Sequence, residues 1–378
     1  MTHDLPQPRF VVLRAAAPGI TARTHRSLLS YQQPLPTTVA DALHFAIDLG
    51  RVAPQPGEGY TLDLWELLAS LAASDLGVAR AIEPHLDALA ILHQASEDST
   101  DVATAATRSP RDSLLADAAA HTWGVFASEG GPSPVTARTI DESDGSSGWV
   151  IDGTKLWCSL ATDLDRALVT ATLPGGERRL FAVDLAQPGV EVAEGEWHAR
   201  GLSEIPSGPV AFTAVPATPV GDAGWYLTRP GFAWGGMGVA ACWYGGAVGL
   251  ARAVHNSARP TEKSPTADSF LLMHLGAIDT ALQSARRALA EAAIAIDDGS
   301  ADDAAGKLLA KRVRSTVARA CETVLHHTAH ALGPAPLARD AAHAKRVADL
   351  ELYIRQHHAE KDDASLGSTL AESEESPW

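Results

Sequence analysis

The local texture of this chain changes twice, and those two changes restrict the folds open to it. From about Val39 to Ala120 the sequence is Ala- and Leu-rich with helical spacing. Leu64, Leu67, Leu68, Leu71 and Ala72 mark one apolar face, and Leu86, Leu89, Ala90 and His93 mark another. Asp63 stands just ahead of the first run and is the natural N-cap candidate. After Trp123 the chain turns to Val, Thr and Trp broken by Gly, Pro and Asp, which predicts short β-strands to about Val220. From Phe232 to Leu366 it is Ala-rich and helical again, with breaks near 259–265, 297–303 and 333–336. The order helical, β, helical predicts an α+β protein: a helical N-terminal domain over 1–120, a middle β-barrel over 121–228 and a C-terminal four-helix bundle over 229–367. Residues 1–35 read as a loose arm or a first turn of helix, and 368–378 as a disordered acidic tail.

The chain is long enough for this, with 378 residues, 46% of them hydrophobic. Its net charge of −16 argues against a nucleic-acid surface, although helix ends and single arginines can still hold an anion. Cys158, Cys242 and Cys321 are scattered with no metal or redox spacing, as small apolar fillers in a reducing compartment would be. The N-terminal MTHDLPQPRF lacks an apolar signal region, and no apolar run approaches the ~18 residues of a membrane span. The cytosol is the expected location.

The densest signal lies in the middle segment. Trp149-Val150-Ile151 and Leu156-Trp157-Cys158 read as two strands joined by a tight turn at Asp152-Gly153. Such a hairpin would hold the flat face of Trp157 in a fixed place. Around it stand Ser128-Glu129, then Gly153-Thr154-Lys155-Leu156-Trp157-Cys158-Ser159, then Phe181-Ala182-Val183-Asp184 and Pro188-Gly189-Val190. In order and spacing this set resembles the middle β-domain of the acyl-CoA dehydrogenase family. The resemblance covers roughly residues 35–366 and implies the same three-domain, acyl-CoA dehydrogenase-like fold. It implies FAD as cofactor, with Ser128 and Ser159 supplying hydroxyls at the flavin ring and Trp157 stacking on it. It also implies an acyl thioester or other small-molecule substrate, oxidised at its α,β carbons, and a homo- or hetero-oligomer assembled through the bundle.

The chain departs from the family at the catalytic base, a carboxylate that needs a dry pocket to raise its pKa. One family position matches the stretch 346–358, where no Glu-Gly-Thr occurs and only Glu351 and Glu360 flank the place. The other falls on Val239. The dinucleotide side departs as well: residues 258–263 lack the family's Arg-x-x-Phe-Gly, and Pro334 removes a backbone donor from the later glycine turn. Arg355-Gln356-His357-His358 loosely resembles a segment of flavin monooxygenases sharing this fold, which offers His357 or His358 as the working group and Arg355 as a cofactor contact. The plainer alternative is a solvated polar helix face. Glu322, His326 and His330 recur at metal-chelating spacing, but imidazoles also favour a helix C-terminus, and no metal is expected. Gly235-Gly236-Met237-Gly238 and Gly245-Gly246 read as places of close helix packing. Three functions stay open: an acyl-CoA dehydrogenase-like flavoprotein, a monooxygenase of the same fold, and a subunit that has lost its flavin.

Overall fold

The computed structural model describes residues 10–14, 35–97, 114, 118–131, 133–141, 147–193, 195, 197–260, 266, 268–374, 376 and 378. Among the described residues three helices come first: α1 (Val39–Gly50), α2 (Thr61–Ser74) and α3 (Leu76–Glu97). Thr38 caps α1 through its hydroxyl, which accepts from the Asp41 N–H at 3.1 Å. Asp63 is not the cap of α2. The helix opens one turn earlier at Thr61, whose N–H and hydroxyl both donate to Asp297, and Asp63 instead pairs with Arg14 at 2.6 Å.

Seven strands follow: β1 (Trp123–Phe126), β2 (Thr136–Asp141), β3 (Ser147–Lys155), β4 (Arg166–Thr172), β5 (Arg178–Asp184), β6 (Val190–Val192) and β7 (Val210–Val220). Their order is β1-β4-β2-β3-β7-β5, with β6 on β7, and β5 returns to pair with β4. The path β4-β2-β3-β7-β5 therefore closes on itself, with β1 and β6 as outer strands on β4 and β7. The side chains of Ile151, Val169, Phe181 and Val215 fill the inside.

The Asp152-Gly153 hairpin is not there. β3 runs straight through the dipeptide, pairing with β2 on one side and β7 on the other. Its register shifts between Ile151 and Gly153, so the dipeptide makes a β-bulge. Gly153 has φ 127°, and a Cβ there would lie 2.7 Å from the Pro134 carbonyl oxygen. The Asp152 carboxylate accepts from the Ala214 N–H of β7 at 2.7 Å and locks the bulge. An Asp-Gly pair suits any place that needs φ > 0 beside a side-chain acceptor, and local sequence cannot tell a turn from a bulge.

The last part is helical: α4 (Trp225–Thr228), α5 (Pro230–Ala258), α6 (Ser269–Asp297), α7 (Asp303–Leu332), α8 (Pro334–Arg339), α9 (Ala341–Tyr353), a 3-10 turn at Ile354–Gln356 and α10 (Glu360–Ala371). α10 extends four residues into the segment expected to be a disordered tail. α5 is the hub, packed on α2, α3, α6 and α7. A Cβ on Gly245 would come within 2.2 Å of the Ala69 carbonyl oxygen on α2, so these glycines do bring helix backbones together. One large apolar cluster joins α2, α5, α6, α7 and the strand ring. No described helix is long and apolar enough to cross a membrane.

Candidate active site

β3 ends at Lys155, and the next five residues are pinned from both sides. Lys155 is buried; its Nζ donates to Thr170 Oγ1 at 2.8 Å and lies 3.9 Å from Glu129 Oε1. Burial lowers its pKa, against the opposing pull of Glu129. The Leu156 carbonyl accepts from the Ser128 hydroxyl. The Cys158 N–H donates to the Gly208 carbonyl at 3.0 Å, and the Leu160 N–H donates to that of Pro206 at 2.8 Å. Between these anchors Trp157 takes φ 61° and stands 64% exposed. A bulky residue in the left-handed region costs on the order of 1–3 kcal/mol and persists only when its surroundings over-determine it. Here the flanking hydrogen bonds do so, and the result is a fixed indole facing outward.

Ser159 follows on the same turn. Its hydroxyl lies 2.8 Å from Ser207 Oγ and accepts from Arg80 Nη2 at 2.9 Å. Ser128 and Ser159 thus lie at the two ends of the short turn that carries Trp157. Cys158, lying between them, is no nucleophile: burial pushes its thiol up to about 12.

Arg80 opens onto a charged interior that the sequence reading missed. It sits on α3, with its guanidinium 5.8 Å from the centroid of the Tyr353 ring and Nη1 3.9 Å from Glu83 Oε2. Glu83 is 7% exposed. Burial raises its pKa to about 7; Arg80 and Arg314 oppose the rise and Asp87 adds to it. Asp87, one turn further along α3, is also raised by burial, against Arg229. Arg229 Nη1 donates to Gln94 Oε1 at 2.8 Å. From α7, Arg314 donates to the Gly236 carbonyl at 2.7 Å and the Gln356 carbonyl at 2.9 Å, with its guanidinium 4.7 Å from the centroid of the Trp243 ring. The glycines at 235 and 236 give these side chains room: a Cβ on Gly235 would come 2.8 Å from Asp87 Oδ1. The spacing 80, 83, 87 places the α3 charges on one helical face, which is the signal that could have found them.

The other expected residues divide. His357 is buried, with Nε2 3.1 Å from Ser315 Oγ and 3.9 Å from Asp362 Oδ2, and burial lowers its pKa. It therefore does not belong to the solvated face. His358 is exposed and faces Asp362. Glu351 is exposed on α9, and Val239 is a half-buried residue of α5. Arg355 closes on Glu322 at 2.7 Å, at an exposed place, and does not join Ser128, Trp157 and Ser159. His326 and His330 lie on α7 beside His327, whose Nδ1 is 2.9 Å from that of His274 on α6. Two described clusters have metal-ligand proximity: the mostly exposed Glu58, His93 and Glu97, and Asp75, Glu204 and Asp349. The second is already centred on an ammonium, Lys345 Nζ, at 3.2, 2.7 and 2.6 Å. On the dinucleotide side, residues 261–263 lie outside the described residues, and Pro334 opens α8 directly after Gly333.

The residues at the end of β3 fit a flavin ring. An exposed indole held rigidly offers a planar face, the hydroxyls of Ser128 and Ser159 stand on either side of it in sequence, and a Cβ on Gly130 would meet open space. Residues 129–215 match the family model described as the acyl-CoA dehydrogenase middle domain. A search of curated sequences returns no match. Among solved structures, the nitrososynthase from Micromonospora carbonacea var. africana is 19% identical, with a TM-score of 0.70 over 95% of this chain and 98% of that one. TdsC from Paenibacillus sp. A11-2, solved with FMN and indole, is 17% identical, with a TM-score of 0.68 over 91% of this chain and 96% of that one. Butyryl-CoA dehydrogenase from Megasphaera elsdenii is 15% identical, with a TM-score of 0.69 over 90% and 100%. The chain has the acyl-CoA dehydrogenase fold, and its residues 129–215 match the model of that family's middle domain.

Proposed function

We propose that this chain is a flavin-dependent oxidoreductase acting on a small-molecule substrate. The observation that carries the reading is Trp157, largely exposed on a pinned backbone and flanked in sequence by Ser128 and Ser159. A bound flavin would supply reversible acceptance of an electron pair. The chain's own residues would stack on the ring through Trp157, hydrogen-bond its edge through Ser159, and hold Ser159 in place through Arg80 and Ser207. Relatives of the same fold that bind FMN, together with the departures at 258–263 and Pro334, support a mononucleotide as well as FAD.

Two substrate readings follow. The first is α,β-oxidation of an acyl thioester, as in the family whose middle domain is matched; the buried charges of α3 and α7 favour a short or polar acyl group over a long apolar chain. The second is a monooxygenase of the same fold, favoured by the buried His357. Its working partner would be molecular oxygen. Assembly through the bundle is supported by Phe270, Leu272 and Met273, which stand exposed at the start of α6.

The test is the visible spectrum of the purified protein after loading with FMN or FAD and gel filtration. A retained yellow band is expected. Bleaching by short acyl-CoA without oxygen selects the first reading, and substrate-stimulated oxygen uptake by the reduced protein selects the second. A colourless protein that neither flavin can load would sink the proposal.

A further inference from the structure

Among the described residues, the buried carboxylates of Glu66, Asp63 and Asp349 each have a cation or N–H donor within 3.0 Å, and that of Glu83 does not. Glu66 Oε1 accepts from the Leu13 and Arg14 N–H groups at 2.7 and 3.0 Å, and its other oxygen lies 3.4 Å from Arg14 Nε. Asp63 is held by Arg14. Asp349 accepts from the Leu202 N–H and from Lys345 Nζ, both at 2.6 Å. Such carboxylates hold elements together. Glu83 is as buried as Asp63, yet its nearest cation stands at 3.9 Å, beyond hydrogen-bond range, and no described side chain or backbone N–H donates to it. Leaving a buried carboxylate in this state is unfavourable unless it can take up a proton. The group that faces it, Arg80, is the same one that donates to Ser159 at the end of β3.

We propose that Glu83 is the proton-exchanging group of the flavin site, with Arg80 as the positioning residue that couples it to Ser159. This inference rests on reading Trp157 and Ser159 as the flavin seat. In the oxidation of a substrate H–X–C–H to X=C, the proton on X goes to a Glu83 oxygen and the hydride on C goes to the oxidised flavin. Glu83 then returns the proton to water. The charged groups around it are Arg80 and Asp87 on α3, Arg229 at the start of α5 and Arg314 on α7. Its pKa, raised to about 7, leaves it able to hold and release a proton near neutrality. None of Glu351, His357 or His358 has this combination of burial, missing hydrogen bonds and a direct link to Ser159.

The test needs no substrate. The full chain, loaded with FMN, is reduced electrochemically, and the reduced-minus-oxidised infrared spectrum is recorded slightly above neutral pH. Added negative charge on a nearby ring raises the pKa of a carboxyl coupled to it. The wild type should gain a protonated-carboxyl C=O band on reduction. Glu83→Gln should lose that band completely, while Asp87→Asn should keep it. Should Glu83→Gln fail to fold, Glu83→Asp serves instead and should move the band. A band that is absent from the wild type, that survives in Glu83→Gln, or that vanishes in Asp87→Asn alone would overturn the assignment while leaving the flavin seat standing. A chain that takes up neither FMN nor FAD overturns the flavin seat and this inference with it.

Discussion

The end of β3 and the interior between α3, α5 and α7 solve opposite problems. At the end of β3 an apolar ring is kept in water: Trp157 is exposed, and the backbone around it is fixed by hydrogen bonds to 206–208. In the interior, charges are kept out of water: Glu83, Asp87, Arg229 and Arg314 lie among Trp243, Tyr353 and Tyr226. Each arrangement is unfavourable taken alone, since exposed indoles and buried ions both oppose the usual partition. Arg80 touches both, donating to Ser159 on one side and facing Glu83 on the other. An outward platform joined by one cation to a buried acid fits the proposed flavin seat and its proposed proton-exchanging group.

Removing the interior's balance should produce the largest effect. Arg314→Ala deletes hydrogen bonds to Gly236 and Gln356, the cation over Trp243, and part of the charge facing Glu83. Breaking a buried ion network by removing one partner costs about 3–5 kcal/mol. Urea denaturation should show a loss of that order, and a loss below about 1 kcal/mol would mean the interior is wetter than described.

A smaller effect should appear in the pH dependence of stability. The folded-state pKa of Glu83 is raised from 4.5 to about 7, so folding favours its protonated form. Its stabilising contribution is complete below pH 4.5 and is lost as pH rises through about 7. At ~1.4 kcal/mol per pKa unit the loss is at most about 3.5 kcal/mol. Stability measured by denaturant at successive pH values should fall more steeply over that window in the wild type than in Glu83→Gln. Parallel curves would mean that Glu83 titrates normally.

The two regions also differ in how far they could be read from sequence. The order of helical and β segments was legible because burial imposes period 3.6 on helices and period 2 on strands. The clustering of Ser128, Trp157 and Ser159, whose role at a flavin is the proposal made above, was legible because they lie within about thirty residues of one another in a recognisable order. The bulge at Asp152-Gly153 was not, since only the pairing of β3 with both β2 and β7 distinguishes it from a turn. The interior network was not legible either. Arg80 and Arg314 are far apart in sequence, and charged residues on Ala-rich helices usually face water. The burial of His357 was not legible for the same reason: its polar neighbours suggest exposure, but the 3-10 turn after Tyr353 folds it against Ser315.

The smallest effects on stability should come from the platform itself, and these sharpen the contrast most. Trp157→Ala removes a ring that is 64% exposed and leaves the neighbouring hydrogen bonds intact, so stability should change by less than about 1 kcal/mol. Stacking of a planar heterocycle on an aromatic side chain is worth about 1–3 kcal/mol, so flavin affinity should fall roughly ten- to hundred-fold. Ser159→Ala should weaken flavin binding less, about fivefold for one hydrogen bond, because Ser207 stays beside the vacated place to meet Arg80. Both affinities are measurable by quenching of flavin fluorescence. A Trp157→Ala protein that is strongly destabilised yet binds flavin normally would reverse the assignment: the indole would be a structural element, and the flavin seat would have to be sought elsewhere on the fold.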